Sequence, residues 1–384
     1  MAAFSHFFDP RRIRNSKLTR WFPWKVVKNR RGSDEVSKPN SDRTPKPNGN
    51  SSDKAAKPGR KPKIGIAFSS GGAKGLAHIG VIQVLEENGF EVSAIAGTSM
   101  GAYVGALWSS GIPGPELEKL AASMASSKDR WKLVDPVFPP RRGFIAGKKI
   151  EERLRSSLAN KTFAQLNVPT YLVATEMESF ARHVFHEGDV ASAIVASLAV
   201  PGIVHPVKRG SREFVDGGIA APLPVSVLRE YADVDKVIAV SVIPSIKELK
   251  RATEASEKAA RKKIPFWKRP FKWLNRHLNY FAHGNLLDIL RASAMGSQMR
   301  LVEKSAAEAD VFIRAVNPTG QWHDYHNYKI YVELGRKAAE AALPKLRELF
   351  ETEIDSDPDT PSDKAEAILR TELPLDDSEL ALTS

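Results

Sequence analysis

The sequence predicts an α/β fold with a mostly parallel sheet flanked by helices, and three observations predict it. Short apolar runs of strand length recur along the chain and end in glycine turns. Segments of helical period alternate with them, the order that builds parallel sheets through crossover helices. An apolar content of 42% over 384 residues is enough for a sizeable core, in one large domain or two ordinary ones.

Structure is expected to begin at Ile64, where I-G-I-A-F reads as a buried strand feeding the turn S-S-G-G-A-K-G. The next segment, L-A-H-I-G-V-I-Q-V-L-E-E-N-G, puts Leu76, Ile79, Val81, Ile82 and Leu85 on one side of a helix that Gly89 closes. A strand over Val92–Ala96 leads into G-T-S-M-G, and A-Y-V-G-A-L-W-S-S-G reads as a helix ended by Gly111. Further strands are predicted at Tyr171–Thr175, His183–His186, Glu213–Val215 and Lys236–Val242. Further helices are predicted at Lys148–Leu158, Val190–Leu198, Leu223–Tyr231, Leu286–Lys304 and Tyr328–Phe350. Val92 to Pro115 is uncharged and long enough for a membrane span. Its glycines, hydroxyl residues and Pro113 suit a buried strand–turn–helix better.

The net charge of +12 sits on appendages. Residues 1–63 hold 17 basic and 5 acidic side chains, residues 247–276 hold 11 and 3, and residues 351–384 hold 2 and 11. Basicity of this kind concerns partners and not the fold. The expected organisation is a basic aromatic arm over 1–31, a disordered linker over 32–62, one folded domain over 63–350 with a basic aromatic insertion at about 247–283, and an acidic tail over 351–384. Zero cysteines exclude disulfides, thiol catalysis and Cys-ligated metal, and fit a reducing compartment. The N-terminus has no secretory-signal pattern.

Three short motifs carry chemistry. G-T-S-M-G at 97–101 follows a strand and precedes a helix, the setting of a nucleophile elbow. The turn is so tight that side chains at Gly97 and Gly101 would clash, and Ser99 is held at a helix N-terminus, where developing negative charge is favoured. Ser69-Ser70-Gly71-Gly72-Ala73-Lys74-Gly75 offers backbone N–H groups at another helix start, suited to an oxyanion. A nucleotide phosphate loop is the alternative, yet both G-x-x-x-x-G-K-[ST] and G-x-G-x-x-G are absent there. E-F-V-D-G-G at 213–218 ends a short strand in Asp216, and Gly217 and Gly218 let its loop approach another backbone closely. Taken alone it is also an ordinary Asp-Gly hairpin turn.

Together these pieces resemble the patatin-like phospholipases, in their bacterial form, over roughly residues 63–345. The carriers are S-G-G-A-K-G with L-A-H-I-G-V, then G-T-S-M-G, then D-G-G. The stretches T-E-M-E-S-F-A-R-H-V-F-H-E-G-D-V-A-S-A-I-V-A-S-L-A-V-P-G-I-V and A-A-P-L-P-V-S-V-L-R-E are similar too. One departure is Ser70, where many members have glycine. The resemblance implies a three-layer fold and a Ser–Asp dyad. Ser99 would be nucleophile, Asp216 general base, and the N–H groups around Gly71, Gly72 and Ala73 the oxyanion hole. Gly75 would allow close packing where its helix begins. It also implies hydrolysis of lipid acyl esters through an acyl-enzyme; no cofactor is expected, and no His-Glu-x-x-His or comparable spacing suggests a metal. A free aspartate is a poor base for serine, so burial is expected to raise its pKa. His78, one helical turn past the oxyanion loop, is expected to be a packed or supporting residue.

Residues 264–281 interleave aromatic and basic side chains. Phe271, Leu274, Leu278 and Phe281 share a helical face, with Pro270 in the first turn. A basic helix of this kind can lie on an anionic membrane or cover the core. The arm shares the composition. Expected partners are therefore a lipid ester substrate and an anionic membrane surface; no nucleic-acid module accompanies the basic patches. The expected location is cytoplasmic, peripheral at the inner face of the membrane. The alternative reading is a membrane-associated scaffold or regulator with little turnover.

Overall fold

A computed structural model describes residues 60–126, 130, 132–260, 286–318 and 320–353. The N-terminal arm, the linker up to residue 59, the basic aromatic stretch over 264–281 and the tail beyond residue 353 lie outside the described residues.

Strand β1 (Ile64–Phe68) is buried throughout. Ile64, Ile66 and Phe68 face one helical layer, and Ala67 faces the other. A strand apolar on both faces belongs at the centre of a parallel sheet. It pairs in parallel with β2 (Ala94–Thr98) on one side and β7 (Lys236–Ser241) on the other. β3 (Thr170–Glu176) joins β2, and β8 (Val311–Arg314) joins β7, both in parallel. β4 (Arg182–Phe185), β5 (Val207–Arg209) and β6 (Arg212–Asp216) add antiparallel pairs beyond this core. The result is a mixed sheet of eight strands among the described residues, flanked by helices as expected.

On one face pack α1 (Ala77–Glu87), α2 (Met100–Ser109), α3 (Gly114–Ala125), α4 (Lys148–Ser157), α5 (Val190–Leu198) and α9 (Tyr328–Glu351). On the other pack α6 (Val225–Tyr231), α7 (Ile246–Ala260) and α8 (Leu286–Ala307). The uncharged run from Val92 to Pro115 resolves into β2, a turn and α2, and no helix among the described residues is long and apolar enough to cross a membrane. Helices α1 and α9 cross with their backbones touching. A Cβ on Gly80 would lie 1.9 Å from the Val332 carbonyl oxygen, and one on Gly335 as close to that of Ala77.

The registers around β3 place the functional residues. β4 pairs with Leu172 to Thr175, β2 with Thr170 to Val173 and β6 with Ala174 to Glu176. Because β4 overlaps both other partners, β2 and β6 must share the opposite edge of β3, one after the other. Thr98 is opposite Val173, and Asp216 is opposite the next residue, Ala174. Asp216 therefore occupies the place β2 vacates when the chain turns off at Ser99.

Candidate active site

Ser99 starts α2 with φ 55° and ψ −120°, a strained conformation for a residue with a side chain. Several contacts hold it there. Its N–H donates to Ser197 Oγ at 2.8 Å, and that hydroxyl donates to the Val173 carbonyl at 2.6 Å. A Cβ on Gly97 would lie 2.6 Å from the Gly101 carbonyl oxygen, and one on Gly101 2.4 Å from that of Phe68. The turn closes only with glycine at both places.

Ser99 Oγ donates to Asp216 Oδ2 at 2.6 Å, and the other carboxylate oxygen accepts the Gly218 N–H at 2.7 Å. Both residues are nearly sealed from solvent, at 5% and 6% exposure. Burial pushes the Asp216 carboxyl up to about 6, against the lowering effect of its bonds from Ser99 and Gly218. Gly217 lies against β3, where a Cβ would sit 2.2 Å from the Val173 carbonyl oxygen.

The glycine turn after β1 opens a short 3-10 helix, Gly72–Leu76, that leads into α1. Gly72 has φ +58°, the left-handed region that favours glycine. The N–H groups of Gly71 and Gly72 donate to no acceptor among the described residues, as befits a helix start. Ala73 differs from the sequence expectation: its N–H donates to the Trp322 carbonyl at 2.7 Å. A segment more than two hundred residues downstream folds back onto the turn and takes that donor, leaving the Gly71 and Gly72 N–H groups without an acceptor among the described residues. Gly75 packs on the start of α2, since a Cβ there would lie 2.5 Å from Met100 Cγ.

His78 is fully buried beneath this turn and its Nε2–H donates to the Ser69 carbonyl at 2.9 Å. Burial pushes its pKa down to about 4, so it is neutral at ordinary pH. It holds the Ser69 carbonyl and makes no bond to Ser99. His183 and His186 sit at β4, and the His183 ring meets Phe185 edge-on and Phe214 at a tilt. His277 and His283 lie outside the described residues. Among the described residues no group of three or more His, Cys, Asp or Glu could hold a metal ion.

Sequence reasoning missed Ser197 and Trp322. Ser197 left a faint signal, a hydroxyl within the apolar helix V-A-S-A-I-V-A-S-L. Trp322 left none, because its role rests on a backbone carbonyl.

This is an α/β layered protein with a buried serine at a strand–turn–helix elbow and an aspartate against it. Residues 66–229 match the family model described as patatin-like phospholipase. An uncharacterised NTE family protein of Mycobacterium tuberculosis is 36% identical over 183 residues, 47% of this chain and 49% of the relative. Lysophospholipase NTE1 of Saccharomyces cerevisiae is 27% identical over 171 residues, 43% of this chain and 10% of that one. The crystal structure of VipD from Legionella pneumophila overlays with a TM-score of 0.39 and 13% identity, over 77% of this chain and 68% of that one. The chain thus spans about half the length of the mycobacterial relatives it matches, and far less of the yeast one.

Proposed function

We propose that this chain is a serine hydrolase of lipid acyl esters, of the phospholipase A, lysophospholipase or esterase type. The observation that carries the reading is the 2.6 Å bond from the Ser99 hydroxyl to a buried Asp216 carboxylate. The match to the patatin-like phospholipase model and the name of the yeast relative support a lipid ester as substrate.

In the first step Asp216 takes the Ser99 proton as Ser99 Oγ attacks the ester carbonyl carbon. An aspartate held near 6 is a stronger base than a free one and is still mostly ionised at neutral pH. The carbonyl oxygen becomes an oxyanion facing the Gly71 and Gly72 N–H groups at the head of the 3-10 helix, where the helix dipole adds to the hydrogen bonds. The carbon–oxygen bond to the alcohol then breaks, and the proton on Asp216 passes to the departing alkoxide. Water, deprotonated by Asp216, attacks the acyl-enzyme and releases the fatty acid, returning the proton to Ser99.

A fluorophosphonate probe and fatty acid release from mixed phospholipid and lysophospholipid vesicles test this. Wild type should react in both assays and Ser99→Ala in neither. Labelling or release that persists in the variant removes Ser99 from the chemistry.

Peripheral membrane association through residues 1–31 and 264–281 belongs to the same proposal, because the acyl chain is drawn from a bilayer. Each Lys or Arg near an anionic surface adds about 1 kcal/mol at most, and salt screens it. Deleting residues 1–62 should weaken flotation with anionic vesicles. Neutralising Lys268, Arg269, Lys272 and Arg276 should weaken it further. Equal binding to neutral and anionic vesicles would overturn the assignment.

A further inference from the structure

Ser70 is a motif residue that the reaction above does not use, and it stands where the family resemblance expects glycine. Its backbone is fixed: the N–H donates to the Pro222 carbonyl at 2.8 Å, and its own carbonyl accepts from the Ser69 hydroxyl at 2.9 Å. Its side chain is 4% exposed, yet Oγ has no hydrogen-bond partner. A buried hydroxyl left unpaired is costly, and a native structure rarely keeps one without a use.

Gln298, on α8, comes from outside the segment matched by the family. It is half-buried, and its amide makes no hydrogen bond among the described residues. The position a Cβ on Gly218 would occupy lies 2.8 Å from Gln298 Nε2, 2.9 Å from Asp216 Oδ1 and 3.2 Å from Ser70 Oγ. Two unpaired polar groups and the outer oxygen of the Asp216 carboxylate therefore converge on Gly218, where any side chain would collide with all three.

Asp216 returns its proton to the departing alcohol, so the groups around Asp216 border the alcohol and not the acyl chain. Resting on the acyl-transfer reading above, we propose that Ser70 Oγ and the Gln298 amide form a subsite for the alcohol portion of the substrate. They hydrogen-bond a second hydroxyl on that alcohol. The substrates favoured are then esters of a polyol that keeps a free hydroxyl next to the ester, over esters of simple alcohols. A site built to bond a hydroxyl discriminates against the analogue lacking it more sharply than an apolar pocket discriminates by size.

Two water-soluble esters with one acyl chain test this without a membrane: glycerol monobutyrate and methyl butyrate, hydrolysed by the full chain. Wild type should favour the glycerol ester in kcat/KM by about tenfold or more, the worth of one or two hydrogen bonds. Ser70→Ala and Gln298→Leu should each cut that preference about fivefold or more through a higher KM for the glycerol ester, with methyl butyrate turnover within about twofold of wild type. Thermal melting checks that both variants fold, and Ser70→Thr, which keeps a hydroxyl, should retain part of the preference. A wild type without preference, or variants that slow both esters equally, would overturn the subsite while leaving Ser99 chemistry standing. No turnover of either ester, together with no fluorophosphonate labelling of wild type, would overturn the acyl-transfer reading itself.

Discussion

The two glycine turns at the ends of β1 and β2 are built alike, each a buried parallel strand breaking sharply into a helix, but they are held in place differently. The nucleophile turn is braced from within the family-matched segment, by Ser197, Val173 and the backbone of Phe68. The turn at Gly71 and Gly72 is braced by His78 and, from beyond that segment, by Trp322. Each turn also has one buried titratable group against it, and burial moves the two in opposite directions, Asp216 up to about 6 and His78 down to about 4. Burial favours the neutral form of each. Under the proposed reaction this makes the aspartate a stronger base, whereas the histidine stays neutral near neutral pH.

Substitutions can separate the two turns. Asp216→Asn keeps size and shape but removes the base, and should lower kcat by about 10²–10⁴ with the fold intact, read by ester hydrolysis and circular dichroism. The wild-type kcat/KM should rise with pH through about 6 as Asp216 ionises. A profile flat from pH 5 to 7 would remove Asp216 as base. Next in size is Gly101→Ala, which drives a Cβ into the Phe68 and Ser69 carbonyls and should cost on the order of 3 kcal/mol in urea denaturation.

The pH dependence of stability sharpens the comparison further. Asp216 titrates near 3.8 when unfolded and about 6 when folded, so its penalty is absent below about pH 4 and complete above about 6. His78 titrates near 6.5 unfolded and about 4 folded, so its penalty is absent above about 6.5 and complete below about 4. The two slopes oppose each other across one window, each worth on the order of 3 kcal/mol. The stability of Asp216→Asn relative to wild type should therefore climb by roughly that amount between pH 4 and 6.5. A flat difference would mean that the carboxyl is not shifted. The smallest effect is expected from His78→Gln, which can keep a donor for the Ser69 carbonyl and should slow hydrolysis less than about tenfold. A loss as deep as that of Ser99→Ala would make the histidine a partner in the chemistry.

Much of the frame was legible because it is local. I-G-I-A-F and the glycine turn after it mark β1, and the apolar period marks α5 and α9 almost to the residue. Strand β2 runs Ala94–Thr98 and not Val92–Ala96, because its pairing with β1 and β3 carries it right up to the serine. Helix α3 opens with Gly114 and Pro115, residue types typical of turns, and β5 and β8 are too short to show a period. The motifs announced Ser99 and Asp216, but not why they meet. That follows from β2 and β6 sharing one edge of β3, a relation between strands more than a hundred residues apart in sequence. Trp322 and Gln298 reach the site from elements with no motif of their own.

One consequence follows from how nearly sealed the dyad is. With Ser99 and Asp216 each at about a twentieth of full exposure, an acyl group carried on the serine in the proposed reaction would meet little bulk water. The second half of the reaction then becomes a competition among acceptors for entry. An alcohol that enters more readily than water would leave with the acyl chain as a new ester. In mixtures of water and glycerol, the proportion of product appearing as ester and not as free acid would measure how selectively the site admits its second reactant.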